Sequence, residues 1–159
     1  MTPRQPPEVV RQAARLAAAL GAEVICAQVD TGRYVVAEHP DGSVESRPLD
    51  PDLPHWDQSG FDPELAARIR TAVAPIGVPV QFRALAGDIA HALGRLAEVT
   101  GAELIVVGSR RGGLRASLHE FVGGSVAAHL IHRQSRPVLV VPLSPVPPGG
   151  RLPWEESLA

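Results

Sequence analysis

The chain has no lysine: all fifteen of its basic residues are arginine. That excludes chemistry built on a lysine amine, from Schiff-base formation to the lysine of a phosphate-binding P-loop. With a single cysteine, Cys26, no intrachain disulfide can form, and a reducing compartment suits the composition. Cys26 lies in an apolar strand pattern and reads as a small buried hydrophobe. Aromatic residues make up only 4%, so Ala, Val and Leu must fill any core. Apolar runs fall far short of the roughly 20 residues that a bilayer span requires. The opening Met1-Thr2-Pro3-Arg4-Gln5-Pro6-Pro7 carries no apolar core of a signal peptide. A cytoplasmic protein is the expectation. Charge is also sparse: the net value is −2 and no run of five like charges occurs. Neither nucleic acid nor a membrane is therefore expected as a partner.

What is present suffices for one domain, since 159 residues at 45% hydrophobic can bury a substantial core. Glu8 to Leu20 sets Val9, Ala13, Leu16, Ala17 and Leu20 on one helical face, and Gly21 ends it. Val24 to Val29 reads as a strand. Residues 33–49 alternate around Pro40-Asp41-Gly42, the composition of an inserted β-hairpin. Residues 50–60, rich in Pro and Asp, read as a surface loop in which Trp56 is a hydrophobic anchor. Asp62 begins a helix reaching about Ile76, Val80 to Leu85 is another strand, and Asp88 caps a helix reaching about Thr100. Residues 144–159, with four prolines and two glycines, read as a flexible tail. The domain proper is thus expected over 1–143. Alternation of strand and helix predicts a three-layer α/β fold, with a mainly parallel sheet and helices on both faces.

The most informative stretch is Gly101 to Leu143, which reads as strand, glycine loop, helix, strand. Glu103 to Gly108 and Val138 to Val141 are short apolar runs of the kind that form buried parallel strands. Between them, Gly108, Gly112, Gly113, Gly123 and Gly124 offer backbone amides unobstructed by side chains. A helix N-terminus behind such amides favours an anion. Ser109 and Ser125 add hydroxyls, and Arg110, Arg111 and Arg115 add charge suited to phosphate oxygens. A glycine-punctuated turn serves equally well to let a helix pack closely on a strand with nothing bound. Arginines there serve equally well as a solvated rim.

The order of Val106-Val107-Gly108-Ser109, a Gly/Arg loop, Gly124-Ser125-Val126, a helix and Arg136 to Pro142 resembles the universal stress protein family. Ala86-Gly87-Asp88 and Gly21 to Asp30 extend the likeness over most of the chain. The resemblance implies an adenine nucleotide alpha hydrolase-like fold and a regulatory domain that binds an adenine nucleotide, ATP with Mg²⁺, as a signal in stress response. Carried over position by position, Gly108, Gly124, Ser125 and Val126 fall on the phosphate side. Val29 falls on the strand residue that touches adenine. With Ser109, Arg110, Arg111 and Gly112 these make the candidate site. The family's pattern is Gly, two residues, Gly, nine residues, then Gly with Ser or Thr. Here three residues separate Gly108 from Gly112, eleven separate Gly112 from Gly124, and the second glycine's place falls on Arg111.

The resemblance also implies a middle strand, ending in a base-binding aspartate, before the first helix. Only seven residues precede Glu8, and three of them are proline, which cannot donate to a central ladder. That strand is missing from the sequence. Three closures of the sheet are open: the flanking strands pair directly, a partner chain supplies a strand, or the native chain starts upstream of Met1. The last is the expectation. The family's last strand pairs with its copy, which makes a homodimer through Val138 to Val141 the expected assembly. The alternative function is a scaffold that binds no nucleotide and acts through contacts with other proteins.

No enzyme is expected, although slow ATP hydrolysis stays open. His129 and His132 sit three apart on the last helix without a third ligand nearby, so no metal site is expected. His119 with Glu120 and Arg115 suggests a surface ion network. His39, His55 and His91 have no nucleophile beside them.

Overall fold

The computed structural model of the protein describes residues 7–50, 60–109, 126–143, 145 and 147–150. Its elements in order are α1 (Glu8–Leu20), β1 (Val24–Asp30), β2 (Arg33–Glu38), β3 (Val44–Pro48), α2 (Pro63–Val73), β4 (Val80–Ala86), α3 (Ile89–Val99), β5 (Ile105–Gly108), α4 (Val126–Arg133) and β6 (Val138–Val141).

Local chemistry sets most of the boundaries. Gly21, at φ 64°, ends α1: its amide reaches the Ala18 carbonyl at 3.4 Å and that of Ala22 reaches Ala17 at 2.8 Å. This pair of bonds satisfies carbonyls that the helix end would otherwise orphan. Asp62 caps α2 by accepting from Glu64 N at 2.9 Å and Leu65 N at 3.2 Å, with Pro63 preset at the first helical position. The helix stops at Val73 rather than near Ile76. The Ile76 and Gly77 amides both fold back to the Val73 carbonyl, and Gly77 at φ 76° turns the chain away. Asp88 caps α3 by accepting from His91 N at 2.9 Å. β5 begins at Ile105, two residues later than the apolar run suggests. Its first ladder bond is from Ile105 N to the carbonyl of Pro137, so Glu103 and Leu104 lie before the ladder starts.

The strands bond in pairs and not as one continuous sheet. β1 and β4 run parallel from Val24 opposite Val80 to Asp30 opposite Ala86. β5 and β6 run parallel from Ile105 opposite Val138 to Gly108 opposite Val141. β2 and β3 form an antiparallel hairpin with an irregularity between Val35 and Ala37. β1 and β5 do not bond to each other, so direct pairing of the flanking strands is not how this sheet closes, and no described strand lies between them.

Helices hold the two parallel pairs together from both faces. On one face α1 and α2 bury Val10, Ala14, Ala17, Leu65, Ile69 and Val73 against Val24 and Cys26. On the other, Ala92 and Leu96 of α3 pack on Ala27 and Leu85. Farther round the same helix, Ala90 and Ala97 pack on Ile105 and Leu130. The result is a three-layer α/β domain. Phe61 and Phe82, 4.8 Å between centroids, and Arg70, 4.7 Å above Phe82, close the end of the first cluster. Among the described residues no helix is long and apolar enough to cross a membrane.

Candidate functional site

In an open α/β sheet, ligands bind outside the carboxyl ends of the strands, where the sheet order switches. Among the described residues, β1 and β5 are parallel-sheet strands that do not bond to each other. The C-terminal half of α1 packs at the start of β1, through Ala17 and Val24. Its N-terminal end reaches the last residue of β5, because Val9 Cγ2 lies 2.9 Å from where a side chain on Gly108 would begin. Since α1 runs back along β1, the carboxyl ends of β1 and β5, at Asp30 and Gly108, lie at the same end of the domain, near the start of α1.

The candidate residues meet these strand ends unevenly. At Gly108 a Cβ would meet Leu143 Cδ1 and Val9 Cγ2, both at 2.9 Å, closer than packed carbons tolerate. A side chain there would push Val9 and Leu143 aside, so packing alone favours glycine. Ser109 donates its amide to the Val141 carbonyl at 2.8 Å, and its Oγ accepts from Leu143 N at 2.8 Å. The hydroxyl thus fastens β5 to the segment after β6. Val29 packs beside Ala27 and Leu85, and Val126, first residue of α4, packs beside Ile105 and Leu130. Arg110, Arg111, Gly112, Gly124 and Ser125 lie outside the described residues.

A family model described as the universal stress protein family matches residues 3–142. The chain belongs to the universal stress protein family. A crystal structure of a universal stress protein in complex with cAMP shares the fold at a TM-score of 0.56 and 23% identity, covering 87% of each chain. No curated protein matches the chain.

In this universal stress protein the Ser109 hydroxyl and the strand-end Gly108 both have structural partners. Asp30 is exposed and accepts from Gly32 N at 2.8 Å. No group of three or more His, Cys, Asp or Glu side chains placed to hold a metal ion occurs among the described residues. Asp88 is spent as a cap and lies 3.5 Å from Arg133. Cys26 is buried and unpaired, and burial pushes its thiol up to about 11, which keeps it protonated and unreactive at neutral pH.

Sequence reasoning passed over one concave feature. A cavity of about 250 Å³ lies between the hairpin and α3, with Tyr34 and His91 in its lining. The sequence marked the hairpin as an insertion and His91 as a histidine without a nucleophile. Nothing in the local pattern shows that the hairpin folds back over α3.

Proposed function

We propose that this chain is a regulatory domain that binds an adenine nucleotide, ATP or a cyclic monophosphate, as a signal, at the carboxyl ends of β1 and β5. The observation that carries the reading is the arrangement of these strand ends. β1 and β5 end at the same end of the domain without bonding, and the glycine- and arginine-rich segment 110–125 follows β5 directly. In that reading Arg110, Arg111, Gly112, Gly124 and Ser125 hold the phosphates, and a magnesium ion arrives with the nucleotide. Rapid turnover is not part of the proposal, because no lysine is available to the phosphates. The fold of the cAMP complex supports a site of this class.

A second reading, a scaffold that binds no nucleotide, is favoured by Gly108 and Ser109, whose structural duties are complete without a ligand. In either reading we propose a homodimer through β6, where Leu139 and Val140 stand 39% and 42% exposed, and action in a reducing, cytoplasmic setting.

Native mass spectrometry of gently purified protein, followed by titration with Mg-ATP and with cAMP, separates the two. A dimer that retains or takes up about one nucleotide per subunit supports the first. Gly124→Asp, which sets bulk and negative charge at the phosphates, is expected to abolish that uptake. A dimer that stays empty at millimolar nucleotide would sink the first reading and leave the scaffold.

A further inference from the structure

The β2–β3 hairpin is fixed to the domain at both ends, and the space beneath it stays open. At its root the Leu49 amide bonds the Gly32 carbonyl at 2.9 Å. At its tip Gly42, at φ 79°, lies against α3, where a Cβ would come within 2.5 Å of Leu96 Cδ1. The Asp41 carbonyl beside it accepts from Arg83 Nε at 3.1 Å. Between root and tip, Arg95 of α3 reaches Glu38 of β2 at 3.0 Å. Closed at its base, seated at its tip and braced by Arg95, the hairpin stands over a cavity of about 250 Å³.

The floor of this cavity is apolar: Leu85, Ala92, Leu96 and Val99 line it, with Val44 as a wall. The charged groups around it are already engaged. Arg95 holds Glu38 and also Glu98, the latter at 2.6 Å. Hydrogen bonds to Glu98 and then to Glu38 push its guanidinium further up. Asp88 caps α3 and lies beside Arg133, and His39 lies 3.4 Å from the Glu45 carboxylate. Among the described residues the carboxylates and the guanidinium around the cavity are thus paired, and seating a ligand's charge on the apolar floor is unfavourable without a permanent counter-charge. Two polar groups in the lining are uncommitted. Neither the Tyr34 hydroxyl nor the His91 imidazole has a hydrogen-bond partner among the described residues.

We propose that this cavity is a second binding site, taking a neutral, largely apolar ring molecule that carries one hydroxyl or carbonyl group. The ring lies over Leu85, Ala92 and Leu96, and the polar group bonds the Tyr34 hydroxyl, with His91 beside it in the lining. The site sits over α3 and the carboxyl end of β4, where the Gly87 amide bonds the Asp30 carbonyl at 3.0 Å; its lining includes neither Val29 nor Ser109, and the proposal does not rest on the nucleotide reading.

Naphthol and naphthoate share one ring and differ in charge, so calorimetric titration of each into the full chain tests the assignment. Naphthol is expected to saturate one site per chain, and naphthoate to bind about tenfold more weakly. His91→Trp sets an indole into the cavity lining and is expected to lower naphthol affinity at least about tenfold, as lost shape complementarity does in a packed site. Tyr34→Phe, which keeps the ring and removes one hydrogen bond, is expected to lower it about fivefold. Ile131→Trp, on the exposed side of α4, is expected to change nothing. Circular dichroism checks that each variant is folded, and Tyr34→Phe alone carries the test if the tryptophan is not tolerated. Naphthoate binding as tightly as naphthol, no saturable naphthol site, or naphthol affinity indifferent to the folded His91 and Tyr34 variants would overturn the proposal.

Discussion

The two parallel pairs are built differently. β1 and β4 pair over seven residues above a broad cluster from α1 and α2, closed by the Phe61–Phe82 contact. β5 and β6 pair over four residues above a smaller cluster centred on Leu130. The smaller half borrows support. Val9 of α1 fills the space beside Gly108, and α3 contributes Ala90 and Ala97 on the other side. The lesson concerns glycine: at the end of a strand it can be demanded by a neighbour's side chain as readily as by a ligand, and sequence shows the same letter for both.

Four experiments would break or sharpen this comparison. The largest effect is expected from truncating the centre of either half. Leu65 and Leu130 are fully buried, and Leu130→Ala or Leu65→Ala should each cost about 2–5 kcal/mol in urea unfolding. Because α1 and α3 bridge both pairs, each variant should still unfold in one transition. A separate early phase confined to Leu130→Ala would show that the smaller half is an independent unit.

Gly108→Ala comes next. Its new methyl would press on Val9 and Leu143, and about 1–3 kcal/mol of stability should be lost, with nucleotide uptake unchanged. In a Val9→Ala background the loss should shrink, since the clash and the cavity compensate. Full stability with lost nucleotide uptake would reverse the assignment and make Gly108 a ligand glycine.

A smaller effect appears only in alkali. Burial raises the Cys26 thiol from 9.0 to about 11 in the folded chain. Below pH 9 both states hold the proton and the contribution is constant. Between about pH 9 and pH 11 the unfolded chain releases it while the folded chain does not, so stability should fall across that window and level off above it. Cys26→Ala should remove this part of the decline, which a pH series of urea midpoints would read.

The smallest expected effect belongs to a cap on the larger half. Asp62→Ala leaves the Glu64 and Leu65 amides without their acceptor and should cost about 1 kcal/mol. Asp62→Asn should recover most of it.

Much of the framework was legible because it is written in local chemistry. Gly21, Asp62 and Asp88 announce helix ends through backbone conformation and orphaned amides, needs that arise within a few residues. The apolar runs at Val24, Val80 and Val138 announce strands for the same reason. Errors fell where the boundary depends on a distant partner. β5 starts at Ile105 because Pro137 supplies the first acceptor, and α2 stops at Val73 because the turn at Gly77 folds back onto it. The candidate site was less legible. Gly108 and Ser109 stand out by motif position, yet their neighbours Val9, Val141 and Leu143 lie far away in sequence, and those neighbours set their packing and hydrogen bonds.

By itself, then, the sequence determined the element types and the family, since capping, periodicity and residue order are read along the chain. It also determined the chemistry closed to this protein for want of lysine and of a second cysteine. Tertiary structure decided the rest. It left β1 and β5 unbonded, set Val9 and Leu143 against Gly108, and laid the hairpin over α3 so that a cavity forms beneath it. Each of these depends on which distant side chain occupies a given few ångströms, and a one-dimensional pattern does not carry that quantity.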